Sequence, residues 1–162
     1  MKMSVRLIVL GIVMSGVVLW APGSHAVAQA SDPIVGNWKL NIAKSKFTPG
    51  PPSKSITVKF ETAGQGVKVT ADTVAADGSS EHTVYTANYD GKDYPITGSA
   101  VADTVSLKRI DATSTERTDK KGGKVVQTYT RKVSNDGKVL TVIQKGTNTQ
   151  GQFNNTLIFD KT

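Results

Sequence analysis

Polar side chains that share a strand face with apolar ones are the residues of this sequence best suited to chemistry. In the run from 124 to 133, every second residue gives Val125, Gln127, Tyr129, Arg131 and Val133. Alternate residues of a strand point to the same face. If the two valines mark an inner face, the three polar side chains between them point inward as well.

Two residues from other runs extend this set. Arg109 continues the face of Val105 and Leu107, and Tyr85 is added from an earlier run. A buried arginine is costly unless it finds a partner or water, and a cluster of Arg and Tyr suits a cavity for an anionic or carboxylate-bearing ligand. The hypothetical ligand-binding set is therefore Tyr85, Arg109, Gln127, Tyr129 and Arg131.

The two arginines of this set also have simpler roles open to them. Arg109 and Arg131 could pair with acidic side chains near the ends of the domain, or a β-bulge could turn them outward. A small barrel can also be filled with side chains and hold no ligand.

The sequence has few residues that could act in catalysis or bind a metal. The chain has no cysteine, and His82 is its one histidine beyond residue 30. Metal sites recruit several His, Cys or carboxylate ligands, whereas neighbours on a strand such as Glu81 and His82 point to opposite faces. Three aspartates precede glycine and are typical of turns: Asp77, Asp90 and Asp136. We therefore expect neither an enzyme nor a bound metal or cofactor.

The elements that must position the candidate set are β-strands. Apolar and polar residues alternate in ten runs, near 36–41, 54–62, 67–75, 79–89, 92–97, 104–111, 114–120, 124–133, 138–145 and 152–160. Turns rich in Gly and Asp separate most of them, as in β-hairpins. Short connections make neighbouring strands antiparallel, and closure buries the apolar face and removes the edges. The prediction is a single all-β, antiparallel up-and-down barrel of about 8–10 strands; a two-sheet β-sandwich is the alternative.

The segment from 42 to 53 breaks this regular pattern. It contains Pro49-Gly50-Pro51-Pro52, which fits neither the interior of a strand nor that of a helix. We expect an irregular arm that runs over one end of the domain.

The first 30 residues have the parts of a secretory signal peptide. Lys2 and Arg6 precede an apolar run over 7–20, and small residues follow at 26–30. That run is shorter than the roughly 20 apolar residues of a spanning helix, so cleavage is favoured over a retained anchor. Residues 1–30 are thus predicted to be the signal peptide and residues 31–162 the barrel domain of a periplasmic or secreted protein. Without cysteine there is neither a lipoprotein anchor nor a disulfide.

The net charge of the chain is positive, with 20 Lys and Arg against 13 Asp and Glu. These cations are scattered, however, and no basic stripe with interleaved aromatic residues is present, as a nucleic-acid-binding protein would have. No nucleic-acid partner is expected.

Two ends of the chain resemble a known family. The first predicted strand carries Gly36 and Trp38, followed by Phe47, and the end of the chain reads Asp-Gly-Lys at 136–138 and Ile-Phe-Asp-Lys at 158–161. These features resemble the lipocalins and fatty-acid-binding proteins (calycins), and in particular their small exported bacterial relatives. The resemblance implies a ligand-binding barrel in which Trp38 packs across one end as a structural residue.

Two departures from the family limit what the resemblance implies. The arm at 42–53 stands where fatty-acid-binding proteins have a helical lid. Leu157, Ile158 and Phe159 stand where those proteins have an Arg-x-Tyr anchor for the ligand carboxylate. The expected function is the binding or carriage of a small hydrophobic or anionic amphipathic ligand; the alternative is a non-catalytic interaction module of the cell envelope with a filled barrel.

Overall fold

Ten β-strands make up almost all of the domain. The computed structural model describes residues 32–148 and 151–162, so the predicted signal peptide at 1–30 lies outside the described residues. The strands are β1 (Gly36–Leu40), β2 (Ser55–Ala63), β3 (Gly66–Val74), β4 (Ser80–Asn88), β5 (Tyr94–Thr97), β6 (Thr104–Arg109), β7 (Ser114–Lys121), β8 (Lys124–Val133), β9 (Val139–Asn148) and β10 (Gly151–Lys161).

The sheet closes on itself. Each strand pairs antiparallel with the next along the chain, and β1 completes the barrel by pairing with β10, where Trp38 lies opposite Lys161 and Leu40 opposite Phe159. The predicted up-and-down barrel is confirmed, and the β-sandwich is excluded because no edge separates two sheets. A fold of this kind needs no helix to cover its core, since the inner faces of the strands cover one another.

The three aspartates that precede glycine form the hydrogen bonds expected of turn residues. The Asp136 carboxylate accepts hydrogen bonds from the Ser134 hydroxyl at 2.5 Å and from the Lys138 N–H at 3.1 Å. These bonds favour the charged carboxylate and lower the pKa of Asp136 below its usual range. Asp77 and Asp90 bond in the same way to the residue two positions further on. All three aspartates are turn residues.

One end of the barrel is closed by the segment before β1. Ile34 is buried there, and the Trp38 indole N–H donates to the Ile34 carbonyl oxygen at 2.7 Å. Gly36 has a φ of +135°, and a Cβ at this position would stand 2.6 Å from the Lys161 side chain, which itself lies over the Trp38 ring. The Gly-x-Trp pattern therefore serves packing at this end, as the resemblance implied for Trp38.

The opposite end is the mouth, and the arm borders it. After β1 the chain makes one 3-10 turn at Ile42–Lys44, then runs beside β10 through a bridge between Lys46 and Thr156. The Asn154 N–H donates to the Thr48 carbonyl oxygen at 2.8 Å. In the described part of the chain, no pair of α-helices stands here as a lid, in agreement with the irregular arm that was predicted. No helix among residues 32–148 and 151–162 has the length and apolar character to cross a membrane.

Candidate ligand-binding site

The barrel encloses a cavity of about 450 Å³. It reaches the mouth, where Pro49, Gly50 and Pro51 of the arm and Val101 of the β5–β6 connection line it. Its volume lies within the range of roughly 300–1,000 Å³ that small-molecule pockets occupy.

The deeper wall of the cavity is apolar on one side and polar on the other, whereas near the mouth Thr73, Glu81 and Thr83 of β3 and β4 add polar groups to the apolar side. β2, β3 and the deep halves of β9 and β10 supply aliphatic and aromatic side chains: Ile56, Val58, Phe60, Val69, Leu140, Val142, Leu157 and Phe159. β7, β8 and the outer halves of β9 and β10 supply the main polar ones: Arg117, Gln127, Tyr129, Arg131, Gln144 and Asn155. Such a division suits a molecule with both an apolar part and a polar part.

An ion pair lies inside the polar wall. Arg117 and Asp119 are two residues apart on β7 and point to the same side; they are 8% and 0% exposed. Arg117 Nε donates to Asp119 Oδ1 at 2.5 Å and its Nη2 donates to Oδ2 at 2.8 Å. The guanidinium also lies over the rings of Tyr85 and Tyr129, with its Cζ 4.8 and 4.7 Å from their centroids. The two-point geometry makes this pair strong and specific.

The second buried arginine is placed differently. Arg131 is 5% exposed, and its Nη2 donates to the Tyr85 hydroxyl at 3.1 Å. Its guanidinium faces the rings of Phe60 and Tyr129, at 5.3 and 5.8 Å. Among the described residues, no carboxylate lies within ion-pair distance of Arg131. It lines the deep end of the cavity as a cation with no counter-ion among the residues that the structure describes.

A chain of amide side chains leads from the ion pair towards the mouth. Gln127 Nε2 donates to Asp119 Oδ2 at 2.9 Å, and Gln144 Nε2 donates to Gln127 Oε1 at 3.2 Å. Asn155 Nδ2 in turn donates to Gln144 Oε1 at 3.3 Å, and the Thr48 N–H donates to Asn155 Oδ1 at 2.9 Å. The carboxylate at one end and the backbone N–H at the other fix the direction of every amide between them.

Tyr129 is the phenol of this wall. Its hydroxyl oxygen accepts a hydrogen bond from Gln144 Nε2 at 3.2 Å. Burial raises the pKa of Tyr129 to about 12, and the nearby Asp119 adds to the rise against an opposing effect of Arg117. The phenol is therefore a neutral hydrogen-bonding group at physiological pH.

The structure brings together four of the five residues that the sequence singled out. Gln127, Tyr129 and Arg131 line the cavity, and Tyr85 is buried behind them as the partner of Arg131. Arg109 was misplaced by the prediction. It lies at the closed end, outside the cavity.

Arg109 lies there because β6 ends with this residue, beyond the apolar Val105 and Leu107. At that position its guanidinium stacks over the Tyr89 ring at 4.0 Å and pairs with the Asp32 carboxylate, which also accepts a hydrogen bond from the Tyr89 hydroxyl. Pairing with an acidic residue near the end of the barrel, one of the alternatives that the sequence left open, is therefore the role of this arginine.

The alternation assumed for β8 also needs a correction at its start. Val125 is 59% exposed, so it does not mark the inner face. The pairing of β7 with β8 shifts by one residue between Asp119 and Lys120, which face Gln127 and Val125, and this bulge leaves Val126 unpaired. Val126 packs against the core instead. Because a bulge inserts one extra residue, the inward and outward positions on one side of it are exchanged relative to those on the other side.

Arg117, Asp119 and Gln144 are site residues that the sequence reasoning missed. β7 reads STERTDKK from Ser114 to Lys121 and has no apolar residue to mark its inner face. For Arg117 and Asp119 the available signal was their spacing of two, which puts them on one face of a strand. Gln144 continues the face of Leu140 and Val142 on β9, and Asn155, also missed, shares a face with Leu157 on β10.

No metal site is found among the described residues, since none of their His, Cys, Asp and Glu side chains form a group of three or more. His82 is exposed and lies opposite Asp72 across β3 and β4, with 2.6 Å between Nδ1 and Oδ1. It takes no part in the cavity.

No protein-family model matches the chain, and no curated protein matches it. Among solved structures, it is similar to the crystal structure of zebrafish ileal bile acid-binding protein complexed with cholic acid, with 10% sequence identity, a TM-score of 0.45, and coverage of 80% of this chain and 99% of that chain. The closed order of ten antiparallel strands is the barrel fold that the resemblance implied.

Proposed function

We propose that this protein binds a small amphipathic molecule inside its barrel, with an anionic group of the ligand at Arg131. The apolar part of the ligand would lie against the wall that includes Phe60 and Val69. Hydrogen bonds from the polar wall would orient it. No bond of the ligand is broken in this proposal; the protein holds or carries the molecule.

The observation that carries the proposal is the unpaired charge of Arg131 at the deep end of the cavity. An ionised group that is removed from water and left without a counter-ion costs free energy. A carboxylate or sulfate on a ligand would supply that counter-ion and accept two N–H bonds from the guanidinium. An uncharged ligand would leave the cost in place.

Export is part of the same proposal. Residues 1–30 have the charged start, apolar run and small-residue end of a signal peptide, so the barrel would collect or carry its ligand in the periplasm or the medium. A native mass spectrum of the protein purified gently from its own host tests this. The mass of residues 31–162, with an additional mass lost on denaturation, is expected; the full-length mass would contradict export.

Decyl sulfate is a suitable probe for the anion site, because it joins an alkyl chain to a single negative charge. Isothermal titration calorimetry of the 31–162 protein should show binding of one molecule. Arg131→Leu should lower the association constant at least tenfold, as expected for the loss of a charged hydrogen bond of roughly 1.5–3 kcal/mol. Lys132→Leu is the matched control, since Lys132 is the next residue and is exposed on the outside. Equal losses in both variants, or no binding to the wild type, would overturn the proposal.

A further inference from the structure

The barrel interior contains an odd number of charges. Among the described residues, three charged side chains are buried: Arg117, Asp119 and Arg131. The first two form a two-point ion pair. The buried side chains therefore carry one excess positive charge, and it belongs to Arg131. Glu81 also lines the cavity, but it lies at the mouth and is only half-buried.

Both carboxylate oxygens of Asp119 already accept hydrogen bonds from protein side chains. Its Oδ1 accepts from Arg117, and its Oδ2 accepts from both Arg117 and Gln127. The Arg117 guanidinium also lies over the rings of Tyr85 and Tyr129. Arg117 is thus held as the partner of Asp119, although it lies on the wall of the cavity and could otherwise meet an anion.

The depth of the three charges matters as well. Arg131 lies opposite Thr115, whereas Asp119 lies opposite Gln127, four residues nearer to the mouth along β7. A ligand that enters from the mouth passes the level of the Asp119 carboxylate before its anionic group reaches Arg131. Among the described residues that line the cavity, a second negative charge on the ligand would find no unpaired cation, because Asp119 already pairs with Arg117.

We propose that Asp119 makes the cavity selective for ligands with a single negative charge, because it neutralises Arg117 and leaves only Arg131 to bind an anion. This inference rests on the proposed function and names its ligand class: monoanionic amphipathic molecules such as carboxylates and sulfate esters. Phosphate monoesters, which carry nearly two charges above the second pKa of about 6, are excluded by the same arrangement.

Decyl sulfate and decyl phosphate form a matched pair of probes for this inference. At pH 8.5 they share the tail and the tetrahedral oxyanion head but differ by one charge, since the second pKa of a phosphate ester is about 6. Titration calorimetry of the wild-type protein should show decyl sulfate bound about tenfold or more tightly than decyl phosphate, the order expected for one charge at this range in a partly buried site.

Asp119→Asn should shift the ratio of the two affinities at least tenfold towards decyl phosphate, because Arg117 becomes a second free cation. The double variant Arg117→Gln with Asp119→Asn restores a single cation and should keep the wild-type preference. A purely structural role of Asp119 would move both variants alike. Glu116→Gln is the control for a charge change on the outer face of the same strand, where Glu116 is exposed.

Gln144→Lys covers the case in which Asp119→Asn does not fold. It adds a cation to the cavity wall without touching the ion pair, and it should move the preference towards decyl phosphate as well. A wild-type protein that binds neither probe would refute the proposed function. A wild-type protein that binds decyl sulfate, with a preference that neither Asp119→Asn nor Gln144→Lys changes, would refute the charge selectivity alone.

Discussion

Asn155 joins the cavity wall to the arm at the mouth, because its Oδ1 accepts a hydrogen bond from the Thr48 backbone N–H at 2.9 Å. The same side chain donates to Gln144, which lies in the chain of amides that ends at Asp119. The position of the arm is therefore coupled through side chains to the buried ion pair. A network of this kind is stable only when every member has its partners.

Loss of the Asn155 side chain should free the arm. Asn155→Ala removes the acceptor of the Thr48 N–H, and we expect hydrogen exchange of that amide to accelerate about fivefold, since a single hydrogen bond contributes roughly 1 kcal/mol. Asn154→Ala is the matched control, because Asn154 is exposed on the outer face of β10. Exchange at Thr48, followed by NMR, should be unchanged in that control; equal acceleration in both variants would contradict the coupling.

The Arg117–Asp119 pair should show strong coupling in its effect on stability. Arg117→Met leaves a fully buried carboxylate without its partner, so we expect a loss of about 3–5 kcal/mol. Asp119→Leu in the same protein should recover a large part of that loss, because apolar residues often replace a buried pair at little cost. Urea unfolding of the two single variants and the double variant measures the coupling. Additive losses would mean that the two side chains act independently.

The fold could be predicted from the sequence because its signals are local. In β2 and β3, Phe60 and Val69 each stand in a strict alternation, and the glycine turn between the strands sets the register in which these two residues pair. These steps depend on residues near one another in the chain, which is why ten strand positions could be predicted without the structure. Closure joins β1 to β10, which are far apart in the chain, and was inferred instead from the need to bury one apolar face and remove the edges.

The site could be predicted only in part, for physical reasons that differ from residue to residue. Tyr129 and Arg131 share a face with the buried Val133, which marks the inside. Asp119 has no such apolar neighbour on its polar strand. Val125 was assigned to the wrong face because a bulge depends on how two strands pair. Arg109 was assigned to the interior because alternation does not show where a barrel ends.

Trp38 should contribute to the stability of the closed end. Trp38→Phe removes the hydrogen bond to the Ile34 carbonyl and part of a ring that is 1% exposed. We expect a loss of about 1–3 kcal/mol in the free energy of unfolding, from a small cavity and an unpaired buried carbonyl. Val125→Ala, at an exposed position, should change stability by less than about 0.5 kcal/mol. Guanidinium unfolding followed by circular dichroism compares them, and equal effects would contradict the role of Trp38.

Stability should fall at high pH in a way that depends on Tyr129. The pKa of this phenol is raised by burial to about 12 in the folded protein, against about 10 in an unfolded chain. Between these values the unfolded state has lost the proton that the folded state keeps, so stability decreases as the pH rises through this window. Tyr129→Phe removes the group. As the pH rises from about 9 to 11, the unfolding free energy of the wild type, measured in urea, should fall relative to that of the variant. Parallel curves for the two proteins would show that Tyr129 ionises equally in the folded and unfolded states.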